Sequence, residues 1–248
     1  MSDTSFSLHP AQQEVYTDQL LNTNSPLYNI GGYIILKGAL DKASFNKAIN
    51  SAPALLDFFK LRFNLIEPDF RCHYDEGYST FELSEHDFSH EVNPEESARA
   101  WTQERFNTAF TLTKSDLPFE QYLLKISETE HWFYGKYHHL ITDGYGFIVW
   151  IQYIASKYHS LTSGQEIEFK YPLYRDEAIK ANQYLSSSAY EEDAAYWKEK
   201  ISSKPEKLLQ KKYQSQGRAD NATSLFNLEL PDDKRQLIEE LQRDTKSS

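Results

Sequence analysis

Residues 119–161, FEQYLLKISETEHWFYGKYHHLITDGYGFIVWIQYIASKYHSL, constrain the fold more than any other stretch. Two runs rich in aromatic and aliphatic residues, FEQYLLKIS and HWFYGKYHH, flank the turn ETE and predict two strands. The second run passes through LITDG into GFIVWIQYIASKYHSL, whose continuous apolar stripe predicts a long helix. Helices and strands must therefore share a core. With 248 residues, 40% hydrophobic and 15% aromatic, the chain has ample material to build one.

The rest of the chain alternates in the same way. HPAQQEVYTDQLL predicts a helix entered through Pro10, IGGYIILKG a strand, and DKASFNKAINSA a helix capped by Asp41. Short strands are expected over 61–66, 70–75 and 78–83, with EPDF and DEG as turns. NPEESARAWTQERFNTAF predicts a helix with Ala98, Trp101, Phe106 and Phe110 on one side. YRDEAIKANQYL and AYEEDAAYWKEKI predict a helical pair, followed by a polar, lysine-rich connector over 204–221. After it come a strand and a helix beginning at Pro231. That last helix has no later element to pack beside, so the chain is expected to stop as a second unit begins.

Composition removes several classes of function. A net charge of −11 argues against nucleic acid and anionic lipid surfaces, which need concentrated positive charge. The sequence has no run of about 18 uncharged apolar residues and no basic-then-apolar start, so a soluble, cytoplasmic protein is expected. Cys72 is the only cysteine, which excludes an internal disulfide and a thiolate-rich metal site; its place in FRCHY suits a small buried hydrophobe.

The chemistry concentrates in YHHLITDGYGF. Alternation along a strand sends His138 and His139 to opposite sides, so one can face a cavity while the other packs inward. Asp143 can cap the following helix, and Gly144 lets the backbone approach a bound molecule. An imidazole titrates near neutrality and can accept or steer a proton, and a helix N-terminus can stabilise an oxyanion; acyl transfer uses both. Three readings are open at this point: a structural histidine pair, a metal site and a catalytic one. Metal is disfavoured because the two side chains diverge and no third ligand follows at a recognisable spacing. His9, His73, His86, His90, His131 and His159 lack any such context and read as surface or packing residues.

His138, His139, Asp143 and Gly144 match the HHxxxDG motif of nonribosomal peptide synthetase condensation domains, and the chain resembles that family over nearly its whole length. HPAQQEVY resembles the family's first motif, keeping Ala11, Gln12 and Tyr16 with Glu14 where arginine is usual. LLDFFKLRF resembles the second, keeping Arg62 and Phe63, and YPLYRDEAIKANQYL resembles the fourth. Within the family, WFYGKYHHLITDGYGF is most similar to siderophore synthetases of the enterobactin type, with Gly146 where many members have serine.

The resemblance implies an α+β fold (an α/β sandwich): a chloramphenicol-acetyltransferase-like lobe that forms half of a V-shaped pseudo-dimer. Residues 1–220 would be the N-terminal lobe and 221–248 the start of the C-terminal one. It implies amide formation between a carrier-bound acyl or aminoacyl thioester and a carrier-bound amine, with little or no activity in the isolated 248 residues. His139 would face the tunnel between lobes as the catalytic residue, with His138 structural and Asp143 organising the loop through a pair with Arg62. The region of Gly144 would be a possible oxyanion donor. No cofactor or metal is implied; phosphopantetheine belongs to the upstream and downstream carrier proteins. The remaining partners would be the second lobe and an adjacent adenylation domain.

Three other readings share the motif. A stand-alone chloramphenicol-type acetyltransferase carries it near its C-terminal end, whereas roughly 100 residues follow it here. A non-catalytic carrier-recruitment domain would not need His139. An epimerization domain continues with serine and tryptophan after the glycine, which DGYGF does not match.

Overall fold

A computed structural model describes residues 5–64, 70–78, 80, 82–112, 117–201, 203 and 230–245. Its frame is a four-stranded sheet in the order β2 (Asn29–Lys37), β7 (Glu130–His138), β6 (Phe119–Ser127) and β5 (Ser84–Asp87). The β2–β7 and β6–β7 pairs are antiparallel and the β5–β6 pair is parallel. A smaller antiparallel sheet joins β1 (Phe6–Ser7), β4 (Arg71–Tyr74) and β3 (Leu61–Asn64) in that order.

Helices cover both faces of the larger sheet. On one face Phe119, Leu123, Phe133 and Tyr137 pack with Phe45 and Ile49 of α2 (Lys42–Asn50) and Trp150, Tyr153 and Ile154 of α4 (Gly144–Ser163). On the other, Leu124, Ile126, Trp132 and Tyr134 meet Ala98 of α3 (Pro94–Phe106) and Phe88, which follows β5. Strand β7 is thus buried on both sides, which is why its sequence reads as a nearly unbroken apolar run rather than a strict alternation. Helices α1 (Pro10–Leu21) and α5 (Tyr174–Tyr184) complete the packed body. Helices α6 (Ser188–Lys200) and α7 (Asp232–Thr245) bury no residue. This is a mixed α+β lobe, as the sequence implies.

Local signals placed most elements. Asp41 caps α2 by accepting from the Ser44 amide at 3.1 Å, and the long apolar helix forms as α4. Two expectations need correction. No strand forms among the described residues of 78–83; the strand lies at Ser84–Asp87, where Ser84 to Asp87 pair with Tyr122 to Lys125. All four residues are exposed and polar, so only backbone pairing with β6 makes SEHD a strand. Helix α3 also stops at Phe106, leaving Phe110 outside it. The connector over 204–221 and the strand expected after it lie outside the described residues.

The early end of α3 has a tertiary cause. The Lys136 ammonium donates to the carbonyls of Arg105 (2.9 Å) and Thr108 (3.0 Å), and the Asn29 amide donates to those of Phe106 (2.6 Å) and Thr108 (2.9 Å). A buried cation at a helix C-terminus satisfies orphan carbonyls and opposes the negative end of the dipole. Lys136 is almost fully buried, sits 3.1 Å from the Glu120 carboxylate, and has its pKa pushed down by burial, against which Glu120 acts. Removing one partner of such a buried pair strands the other charge. Lys136→Met should therefore destabilise the chain by about 3 kcal/mol, read as a lower urea midpoint. The Arg105 guanidinium also pairs with the Glu120 carboxylate, and a change below about 1 kcal/mol would show that Arg105 alone satisfies it.

Candidate functional site

The site is built on the turn between β7 and α4. Strand β7 ends at His138, and the turn closes with the Ile141 amide donating to the His138 carbonyl at 3.0 Å. The backbone on either side is tied to distant segments: the His138 amide donates to the Pro118 carbonyl and the His139 amide to the Tyr28 carbonyl, both at 2.8 Å. The Leu140 carbonyl accepts from the Gln12 side-chain amide of α1. His139 is exposed, while its neighbours His138 and Leu140 are each 1% exposed. The divergence expected of the two histidines is observed.

His138 is locked as a neutral ring. Its Nδ1 accepts from the Leu140 amide at 3.1 Å, so the proton belongs on Nε2, which lies 3.1 Å from Gln19 Oε1. The Gln19 amide nitrogen in turn donates to the Asn22 carbonyl at 2.7 Å, which fixes Oε1 as the acceptor for the imidazole. Burial, with His139 adding repulsion, pushes the His138 pKa down to about 3. Between an unfolded value of about 6.5 and that folded value, the unfolded chain binds the extra proton, so stability is complete above the upper limit and lost as pH falls. Wild type should lose about 2 kcal/mol more than His138→Gln between pH 7 and pH 5. Urea midpoints at the two pH values measure this, and equal losses would show that His138 is protonated in the fold.

Asp143 is the N-cap of α4, its Oδ1 accepting from the Gly146 amide at 2.8 Å. It does not pair with Arg62. The Arg62 guanidinium is buried, donates to the carbonyls of Phe59 (3.1 Å) and Leu61 (2.9 Å), meets Asp75 Oδ2 at 3.3 Å, and lies over the Tyr78 ring. The expected Arg62–Asp143 pair is therefore replaced by an Arg62–Asp75 pair across the β3–β4 hairpin. Arg62 and Asp75 are held together by local strand pairing, whereas Asp143 is already committed to its own helix.

Gly144 begins α4, and a Cβ added there would meet nothing within 4 Å. At Gly146 an added Cβ would come within 2.3 Å of Thr142 Oγ1, so the glycine in place of the usual serine suits the local packing. Beneath the turn, the fully buried Tyr137 hydroxyl accepts from Trp150 Nε1 (2.7 Å) and Gln121 Nε2 (2.8 Å), anchoring the first part of α4 to the sheet. Tyr145 and Ile148 of α4 remain exposed. Among the described residues no cluster of three or more histidine, cysteine or carboxylate side chains could hold a metal, and Cys72 is buried with its thiol pushed up to about 12.

Gln12 enters the sequence pattern only as a motif match and Gln19 not at all, yet both hold the histidine turn. A signal was present: the buried residues of α1 are Gln12, Tyr16 and Gln19, spaced by four and three. That spacing puts them on one helical face, and polar residues on an inward face require partners.

The site is thus an exposed imidazole on a clamped turn beside a capped helix N-terminus. The family described as "Condensation domain" matches residues 2–248, and the chain belongs to it. The chain is 27% identical to surfactin synthase subunit 1 of Bacillus subtilis (strain 168) over 241 residues, covering 96% of this chain and 7% of that protein. It is 26% identical to enterobactin synthase component F of Escherichia coli (strain K12) over 192 residues, covering 76% and 15%. The solved starter condensation domain of rhizomide synthetase superposes with a TM-score of 0.75 at 27% identity, covering 82% of this chain and 49% of that one. A variant of that domain was solved in complex with C8-CoA and Leu-SNAC. The first condensation domain of the calcium-dependent antibiotic synthetase shares the fold at a TM-score of 0.82 and 23% identity, covering 98% and 58%. The chain thus spans about half of the solved domains and a small part of the curated synthetases. No helix among the described residues is long and apolar enough to cross a membrane.

Proposed function

We propose that this lobe supplies the histidine wall of an amide-forming site. The donor is an acyl or aminoacyl group held as a thioester on the phosphopantetheine of an upstream carrier protein. The acceptor is the amine of an aminoacyl thioester on a downstream carrier. The amine nitrogen attacks the thioester carbonyl, the C–S bond breaks, the proton leaves the nitrogen and the donor arm departs as a thiol. His139 holds the amine in line and accepts its proton as the new bond forms. An amine with a pKa of about 8 is already partly neutral at pH 7, so positioning matters as much as basicity. The first amides of α4 at Gly144 and Tyr145 have no intrahelical acceptor and suit the developing oxyanion, and the open space at Gly144 leaves room for it. Asp143 serves the site as the cap that shapes this turn, Arg62 supports the fold at a distance, and His138 is structural.

The observation that carries this reading is the contrast within the pair: His139 is exposed on a turn held by distant segments while its neighbour is buried, neutral and spent in hydrogen bonds. The second lobe would form the opposite wall, with residues 221–248 as its beginning, and an adenylation domain and carriers would act beside it in the cytoplasm. No diffusible cofactor is required. The test joins the 248 residues to a complete second lobe and offers aryl, fatty acyl and aminoacyl donors on carriers with an aminoacyl acceptor carrier, following the amide by intact-protein mass spectrometry. The joined domain should form amide and the 248 residues alone should not. The enterobactin-type preference for an aryl donor is one arm of that comparison. Carrier binding without amide from any donor would instead make the chain a recruitment module.

A further inference from the structure

The turn that carries His139 is tied through the Gln12 side chain to the start of α5. Gln12 is nine-tenths buried, and its two ends are sorted by their partners. Its Oε1 accepts from the His9 amide at 3.1 Å and from the Tyr174 hydroxyl, while its Nε2 donates to the Leu140 carbonyl, one residue beyond His139. With two donors at the oxygen end, the nitrogen end is the one left to face Leu140. Tyr174 is fixed in turn: its amide donates to Asp57 Oδ2 at 2.8 Å, and the next amide, of Arg175, donates to the Tyr74 hydroxyl at 2.9 Å. The Tyr74 hydroxyl itself donates to the same Asp57 oxygen. A run of hydrogen bonds therefore leads from Asp57 through the start of α5 to Gln12 and on to the His139 turn.

We propose that Gln12 is a positioning residue for His139, with Tyr174 setting the orientation of its amide. The His139 backbone is held upstream by the Tyr28 carbonyl and downstream by Gln12 at Leu140. Without Gln12 the Leu140 peptide keeps only the tie from the Ile141 amide to the His138 carbonyl, so its carbonyl can tilt and the imidazole shifts with it. The catalytic consequence rests on reading His139 as the reacting group; the structural consequence does not. A displacement on the order of 1 Å at a reacting group costs about a hundredfold in rate.

The diagnostic variant is Gln12→Glu, which keeps both acceptor contacts and turns an oxygen toward the Leu140 carbonyl. In the isotopically labelled 248-residue chain, its His139 ring and backbone amide NMR signals should shift and broaden, and the His139 amide should exchange about tenfold faster. The signals of His73 and His159 should stay in place. Tyr174→Phe should move the same His139 signals by less. Unchanged His139 signals in a folded Gln12→Glu chain, or equal shifts at all three histidines, would overturn the proposal. If Gln12→Glu does not fold, Tyr174→Phe decides alone, and an unmoved His139 overturns it. In the joined, carrier-loaded domain kcat should fall about tenfold or more at unchanged KM; an unchanged kcat overturns the catalytic role. Absence of amide from the wild-type domain would refute the condensation reading and leave the NMR outcome intact.

Discussion

His139→Ala is expected to slow amide formation by ~10² or more in the joined, carrier-loaded domain, with folding unchanged. Two separate observations combine in that expectation. The side chain is exposed, so its removal leaves no cavity and no orphaned partner in the lobe. The turn beneath it is held by backbone bonds to Tyr28 and Gln12 that alanine retains, so the loss reports the imidazole rather than the loop. Single-turnover rates with both carriers saturating, beside thermal unfolding of each form, measure it. A rate within about threefold of wild type would move proton acceptance to another group or to the substrate amine itself. His138→Gln is the opposing control: its ring is buried, so its removal should act on stability more than on chemistry.

Gly31→Ala is expected to cost about 4 kcal/mol or more, or to prevent folding. Gly31 has φ +128°, and a Cβ built there would lie 2.1 Å from the Gly135 carbonyl oxygen on the neighbouring strand. The obstacle is backbone in the middle of the sheet, which cannot swing aside as a side chain can. Gly31 pairs with Lys136 and Asn29 with His138, so separating β2 from β7 also loosens the strand that delivers the histidines. Gly32→Ala isolates the backbone contribution. Its φ is +151° but its Cβ would meet nothing within 4 Å, so a loss of roughly 1–2 kcal/mol is expected. Urea unfolding of both variants measures the difference; equal effects would mean that strain, not the close approach of strands, makes Gly31 necessary.

The membership of this chain in the condensation-domain family gives the lobe a defined chemistry to test, yet its arrangement also explains departures from the family pattern. Gly146 fits against Thr142, where a Cβ would crowd the hydroxyl. Arg62, retained from a weak second motif, has a role within its own hairpin, pairing with Asp75 across strands in register from Leu61 to Asn64. A matched residue thus need not touch the site whose motif it accompanies.

The sequence by itself determined whatever depends on neighbours along the chain. Strand β7 and helix α4 follow from apolar periodicity, the caps at Asp41 and Asp143 from side chains that reach amides three residues on, and the divergence of His138 and His139 from strand geometry. The polar face of α1 was legible as spacing, but its partners were not. Only the tertiary structure decided that Gln12 reaches Leu140, 128 residues away, and Tyr174, 162 away, that Arg62 belongs to Asp75, and that Lys136 and Asn29 end α3. It also decided that the exposed polar residues Ser84–Asp87 form a strand, since β6 supplies the backbone partners. Local pattern records which face of an element is apolar and where its ends can be capped. Which buried polar group meets which donor depends on how elements distant in sequence are brought together, and that is set by the packing of the whole core.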